Sequence, residues 1–293
     1  MQVVIIGRVF KEKDNAFVKE VFDELHDNDI TTFVYNPYLE QIQNKIKFKH
    51  VVHNFSGFSD FKKHKINFAI TLGGDGTILQ AVTIIRDANV PILGINLGRM
   101  GFLANIEKTK IKNAIHRVLK SRFTIDERNL LYLESNLPLF GDTKFAINDF
   151  TILKRDTSSM ITIHTYINGA FLNSYWADGI IVSTPTGSTG YSLSCGGPII
   201  FPNSGNFVLT PVAPHNLNVR PIVLNDNTVI SFEIEGRTDN FLCTLDSRFE
   251  TITKDHQLAI RKNDFSVKLI KLSEHTFMRT LNEKLTWGKD TRN

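Results

Sequence analysis

The sequence predicts an α/β domain built on a parallel sheet, followed by an all-β domain. Three observations carry that prediction. Over the first hundred residues, short apolar runs alternate with stretches of helical periodicity. From residue 123 to about residue 272, short β-branched or alternating runs follow one another with turn signals between them. From Ser273 the pattern becomes helical again. Strands interrupted by helices imply right-handed βαβ units, whereas serial short strands imply a sandwich or layered sheets.

In chain order, residues 3–7 form a short strand of the buried type. Phe17, Val18, Val21, Phe22 and Leu25 recur at helical spacing, which predicts a helix over 15–26 with Asp14 as its N-cap. Residues 31–35 are β-branched and aromatic, hence a strand. The patch Lys45-Ile46-Lys47-Phe48-Lys49-His50 alternates apolar and basic residues, as an edge strand with a solvated basic face does. Residues 66–72 and 91–96 are further strands, with a helix over 78–88 between them. In the second half, strands are expected at 130–133, 145–153, 161–166, 229–234 and 266–270, and Asn168-Gly169 marks a hairpin. Phe277, Leu281 and Leu285 share one stripe of a final helix, expected to return to the first domain. The organisation is therefore a Rossmann-like N-terminal domain, 1–103 with 273–293 returning to it, and a β-sandwich-like C-terminal domain, 104–272.

The 293 residues suffice for two domains, and 42% hydrophobic against 22% charged residues is the balance of an ordinary globular protein. A net charge of +4 suits anionic small molecules, but no Lys/Arg run is dense enough to propose a nucleic-acid face. No apolar stretch approaches the ~20 residues that span a bilayer, and no signal peptide opens the chain. Cys195 and Cys243 lack metal-ligand spacing and are read as buried thiols of a reducing compartment, so a cytoplasmic protein is expected, with no metal-ligating side chain identified.

Two constellations point to chemistry. Gly73-Gly74-Asp75-Gly76-Thr77 lies between a strand and a helix, at a strand's carboxyl end, where ligands of parallel sheets bind. Glycines permit close backbone approach, and a helix N-terminus attracts phosphate. A carboxylate beside a phosphate nest is electrostatically awkward unless it handles a cation or a proton, which suggests phosphate chemistry. The alternative is a tight turn with Asp75 as a helix cap. In the second constellation, an acid, Asp178, precedes a strand that runs into residues 183–197, eleven of which are Gly, Ser or Thr. Such a segment offers exposed N–H groups and hydroxyls that enclose a polar ligand, and Tyr191 supplies a flat face for a base or ribose. Asn148-Asp149 interrupts an apolar strand, as either a ligand contact or a β-bulge would. There is no P-loop, no complete dinucleotide fingerprint (Leu79 stands at the third glycine) and no nucleophile elbow. His215, between Pro214 and Asn216, reads as a turn residue.

These segments, together with residues 210–215 and Arg220-Pro221, closely resemble the bacterial NAD kinases of the ATP-NAD kinase family along nearly the whole chain. The glycine-aspartate turn is shared with phosphofructokinases and lipid kinases; the Gly/Ser/Thr segment ending in Cys195-Gly196-Gly197-Pro198 is far more specific. The resemblance implies phosphorylation of the adenosine ribose 2′-hydroxyl of NAD by ATP with Mg²⁺, giving NADP, in a homo-oligomer, a tetramer or dimer. It implies Asp75 as the catalytic residue and Gly76 as its ligand-contacting neighbour. It further implies ligand contacts from Phe102, Asn148, Asp149, Asp178, Thr189, Gly190, Tyr191, Ser192, Leu193, Ser194, Ala213 and Arg248. Many members carry Glu where this chain has Asp149, and some carry Gln at the position of Arg248 and His at that of Ser159. A related kinase acting on a sugar or lipid, and a non-catalytic NAD(P)-binding regulator, remain alternatives; the first would not need the loop from Thr189 to Ser194, and the second would not need Asp75.

Overall fold

The computed structural model describes residues 1–155, 159–272 and 276–285. Two compact units divide the chain, Met1–Glu127 with Val267–Asn293, and Arg128–Ser266.

The first unit opens with β1 (Gln2–Gly7), α1 (Asn15–His26), β2 (Thr31–Tyr35), α2 (Asn36–Ile42), β3 (His53–Phe55), α3 (Phe58–Phe61), β4 (Phe68–Gly73), α4 (Asp75–Ile85), β5 (Ile92–Asn96), β6 (Ile106–Glu107) and α5 (Ile111–Leu119). β5, β4, β1, β2 and β3 lie side by side in that order, every pair parallel. All six β1 residues except Gln2 are buried, as strands covered on both faces must be. Val18, Val21, Phe22 and Leu25 of α1 pack into the same core as Ile111, Ala114, Ile115 and Val118 of α5. That packing carries the first unit on to Glu127, past the expected boundary at residue 103. α4 ends where Arg86 turns to φ 51°, three residues short of the expected 88.

The basic patch at 45–50 is not a strand; the edge strand is β3. Its alternation has another cause. Ile46 is buried in the core, Phe48 meets the Phe22 ring edge-on at 4.8 Å, and Lys49 between them and solvent pairs with Asp27 at 2.8 Å. Asp14 stands at the N-cap position of α1 without capping it; its carboxylate lies 3.6 Å from the Lys108 ammonium.

The second unit takes most of β7 (Thr124–Ser135), then β8 (Phe145–Ala146), β9 (Asp149–Lys154), β10 (Ile161–Ile167), β11 (Ala170–Ala177), β12 (Gly179–Ser183), the one-turn helix α6 (Tyr191–Ser194), β13 (Asn206–Val212), β14 (Ile222–Asn225), β15 (Ile230–Glu235), β16 (Phe241–Leu245), β17 (Arg248–Ile252) and the first part of β18 (Leu258–Lys271). One antiparallel sheet runs β11-β10-β15-β18 and another runs β14-β13-β12-β9-β16-β17. Their inner faces share one core, in which Phe150 of β9 stacks on Phe232 of β15 at 5.8 Å. Asn168 and Gly169 take φ 51° and 83° in the β10–β11 hairpin, the left-handed pair that its two-residue turn requires. The expected strand over 145–153 is broken between β8 and β9, at Ile147-Asn148.

The end of β18 rejoins the first unit, placing Leu269 opposite Ile92, and α7 (Phe277–Leu285) follows it there. Phe277 lies 6.0 Å from the Phe102 ring. The expected first residues of that helix, 273–275, fall outside the described residues. Among the described residues, no helix is long and apolar enough to cross a membrane.

Candidate functional site

In the first unit, the chain leaves β4 at Gly73 and Asp75 becomes the first residue of α4. Its carboxylate does not cap that helix. Oδ2 accepts the Phe102 N–H at 2.8 Å, and Oδ1 accepts those of Leu103 and Ala104 at 3.1 and 2.9 Å. Gly101 makes this possible, because a Cβ there would lie 1.9 Å from Asp75 Oδ1. Asn96 braces the same loop, donating to the carbonyls of Arg99 and Ala104 and accepting the Gly98 N–H. Three of the roughly four lone-pair positions of the carboxylate are thereby used, and one remains.

Beside this turn is a cavity of about 230 Å³, lined by Gly73, Gly74 and Thr77 together with Arg8, Lys11, Lys13 and Arg99. Arg8 reaches toward Gly76, its Nη1 3.4 Å from where a Cβ would stand. Four cations, with Asp14 as the one carboxylate among the lining residues, surround a glycine turn at a helix N-terminus, an arrangement that suits an anion. Sequence reasoning missed them, since they come from two separate segments and only the fold assembles them.

In the second unit, Asn148 and Asp149 occupy the break between β8 and β9. Gly187 is pressed on the Asn148 carbonyl, where a Cβ would lie 2.1 Å from the oxygen. Thr184 donates its N–H to the Asn148 carbonyl at 2.9 Å and its hydroxyl to that of Ile147 at 2.5 Å. Asp149 is only 8% exposed, and its carboxylate accepts no hydrogen bond from the described residues. Burial, and secondarily the charge of Asp246, push its carboxyl up to about 7. Asp178, just before β12, pairs with Lys154 at 2.6 Å, a partner that the sequence did not suggest.

The Gly/Ser/Thr segment splits into two groups. Thr184, Ser188 and Ser192 are fully buried and bonded internally, Ser188 to the Pro185 carbonyl and Ser192 to the Thr210 hydroxyl. Thr189, Gly190, Tyr191, Leu193 and Ser194 line the accessible side, with Tyr191 42% exposed. The missing side chain of Gly190 leaves space beside Asp149, whose Oδ2 is 3.9 Å from the Cβ position. Cys195 is half-buried, unlike the wholly buried Cys243. Ala213, just after β13, is held at φ 43°, an uncommon conformation for a residue with a Cβ. Arg248 directs its guanidinium at the carbonyls of Thr143 and Phe145. His215 lies against the Trp176 ring, 4.5 Å between centroids, and its backbone N–H donates to the Trp176 carbonyl. A larger cavity of about 450 Å³, lined by residues such as Glu134, Tyr166 and Glu233, shares no residue with the predicted site.

A glycine turn with a fixed carboxylate in one unit, and an unpartnered acid beside a glycine loop in the other, are features that suit a nucleotide-handling phosphotransferase. The fold agrees: yeast NADH kinase complexed with NADH superposes with a TM-score of 0.89 at 23% identity, covering 99% of this chain and 89% of that one. An NAD kinase from Archaeoglobus fulgidus in complex with ATP gives 0.74 at 22% identity, covering 98% and 99%. The ATP-NAD kinase N-terminal domain model matches residues 3–123 and the C-terminal domain model residues 147–272. NAD kinases of Cytophaga hutchinsonii and Flavobacterium psychrophilum are 45% and 42% identical, over 98% and 100% of both chains. The chain belongs to the ATP-NAD kinase family.

Proposed function

We propose that this protein transfers the γ-phosphoryl group of ATP to the 2′-hydroxyl of the adenosine ribose of NAD, releasing ADP and NADP. The observation that carries the acceptor half is Asp149: a carboxylate buried to this degree without a protein donor suits a ligand hydroxyl. Asn148, Asp178, Ala213, Arg248 and, from the loop, Thr189, Gly190, Tyr191, Leu193 and Ser194 complete the dinucleotide contacts in this reading, with Tyr191 as the stacking face; Ser192, fully buried on Thr210, supports the loop from behind. The donor half rests on Arg8, Lys11, Lys13 and Arg99 around Gly73 and Gly74, which suit a triphosphate. Asp75 is the proton acceptor for the attacking hydroxyl, oriented by its three backbone bonds, with Gly76 and Phe102 beside it.

Mg²⁺ fits as a cation carried on the triphosphate. Among the described residues, no three acidic or His/Cys side chains cluster to hold a metal, and Asp14 is the carboxylate that lines the cationic cavity. Mg²⁺ carried in with the donor would supply charge neutralisation to the transferring phosphates. We place the reaction in the cytoplasm, consistent with two free thiols. Self-association into a dimer or tetramer is supported by the edge strand β11, which exposes Phe171 and Trp176 at 61% and 52%.

Incubation with NAD and Mg-ATP, assayed for NADP, tests the reading. NADP formation at the expense of ATP is expected. Phosphorylation of a sugar or lipid alone, or NAD binding without turnover, would establish one of the alternatives instead.

A further inference from the structure

Asp246 stands in the two-residue turn between β16 and β17, where Leu245 pairs with Arg248, and its φ of 53° is what such a turn demands. Glycine or asparagine would serve the turn equally well. An aspartate that served only the turn would bond nearby backbone. This one reaches nearly a hundred residues back along the chain. Oδ2 accepts the Ile147 N–H at 3.1 Å, and Oδ1 accepts those of Asn148 and Asp149 at 2.8 and 3.3 Å. Its own N–H donates to the Asp149 carbonyl at 2.9 Å.

The opposite side of the same segment is also held. Thr184 binds the carbonyls of Ile147 and Asn148, and Gly187 closes on the latter. The break between β8 and β9 is therefore clamped: three N–H groups by one carboxylate, two carbonyls by one threonine. A strand break that leaves N–H groups unpaired is costly unless they find acceptors, and Asp246 supplies all three. The clamp fixes the backbone from which Asn148 and Asp149 project, two side chains that make no side-chain hydrogen bond within the described residues.

We propose that Asp246 is a positioning residue of the dinucleotide site: its carboxylate fixes the backbone of Ile147, Asn148 and Asp149 so that the latter two meet the ligand in one geometry. This rests on the reading that Asn148 and Asp149 contact NAD. Asp246 touches no substrate; it acts through the segment that does.

The test compares Asp246→Asn and Asp246→Gly with Asp149→Ala in the full-length protein. Asparagine tolerates the left-handed turn and keeps one acceptor oxygen, but sets an amide NH₂ against an N–H donor. Glycine keeps the turn and deletes the carboxylate. Faster amide exchange at 147–149 is expected in both Asp246 variants. The KM for NAD should rise about 5-fold in the Asn variant and about 20-fold in the Gly variant, on the scale of losing one to three hydrogen bonds. The KM for ATP should stay within about 2-fold. Should the Gly variant fail to fold, the near-isosteric Asn variant decides alone. Three outcomes overturn the proposal. One is faster exchange at 147–149 with an unchanged KM for NAD. Another is a parallel rise of both KM values, which marks a structural role. The third is unaltered exchange in both variants. A wild-type KM for NAD in Asp149→Ala removes the underlying reading, and the proposal with it; a raised one there beside an unmoved one in Asp246→Asn removes the proposal alone.

Discussion

Asp246 donates its backbone N–H to the Asp149 carbonyl at 2.9 Å, while its carboxylate adds to the burial that pushes the Asp149 carboxyl up to about 7. The group that holds Asp149 in place thus also makes its charge costly without a ligand. Between the ordinary 3.8 and about 7, the folded protein binds this proton and the unfolded chain does not. Stability of the ligand-free protein contributed by Asp149 therefore falls as pH rises through that window. Asp149→Asn removes the effect, on the order of 2–4 kcal/mol at pH 8. A higher Tm at pH 8, and a flatter fall in Tm between pH 4 and 7, are expected alongside weaker NAD binding. An unchanged slope in thermal melts across that range would show that Asp149 is not the titrating group. Asp149→Ala should weaken NAD by about 1.5–3 kcal/mol, the cost of losing a charged acceptor, and Asp149→Glu by much less.

Asp75 should reveal two functions when neutralised. In Asp75→Asn, the amide NH₂ faces at least one of the N–H groups of Phe102, Leu103 and Ala104, so the loop loses a partner as well as the proton acceptor. Turnover is expected to drop about 10²-fold or more. Stability should fall by about 1–3 kcal/mol, the cost of an unsatisfied buried donor. Gly101→Ala drives a methyl into the same carboxylate and should reproduce the loss of turnover with Asp75 intact. Turnover near wild type in Asp75→Asn would remove this residue from the mechanism.

Much of this architecture is legible in the sequence where the cause is local. The limits of α1 follow from its apolar spacing, and Asn168-Gly169 dictates its hairpin because few other pairs accept two positive φ angles. The misread patch at 45–50 shows the reverse: Ile46 and Phe48 alternate with lysines because each dips into the core from an irregular segment, which mimics a strand's period. Asp75 and the loop from Thr189 to Ser194 are legible because glycines and hydroxyls crowd one stretch. Asp246 is not, since its partners lie nearly a hundred residues away. Nor is the cationic cavity, where Arg8, Lys11 and Lys13 after β1 meet Arg99 after β5 only because β4 alone separates those two strands in the sheet. The exposed hydroxyls of the loop could not be told from the buried ones, because Ser188 accepts the Ile200 N–H and Ser192 bonds the Thr210 hydroxyl, contacts that only the fold creates.

The cationic cavity offers a kinetic test that separates the two substrates. If its cations hold the donor's phosphates, Arg8→Ala and Lys13→Ala should each raise the KM for ATP by about 5–30-fold, the range for one charge-assisted contact of 1–2 kcal/mol. The KM for NAD should change less than about 2-fold, because uniform binding of one substrate leaves the other's unaffected. Steady-state kinetics with each substrate varied in turn will decide. A rise confined to NAD would place the dinucleotide, not the triphosphate, at Gly73 and Gly74.

His26 provides a pH response of opposite sign. Its ring is buried on α1 between Phe22 and His50, and neither ring nitrogen has a hydrogen-bond partner among the described residues. Burial, reinforced by His50 and Lys49 and opposed by Asp23 and Asp27, holds its pKa below the ordinary 6.5. The unfolded chain therefore takes up a proton before the folded protein does. The stability of the neutral ring is complete above about pH 6.5 and is lost as pH falls through the folded value. His26→Leu fills a similar volume without a titratable group. Its Tm should drop less than that of the wild type between pH 7.5 and pH 5, with NADP formation at pH 7.5 unchanged. Because the Asp149 contribution falls as pH rises, and this one as pH falls, each substitution removes one limb of the stability profile. Parallel melting curves for His26→Leu and wild type over that range would show that folding does not lower the pKa of this imidazole.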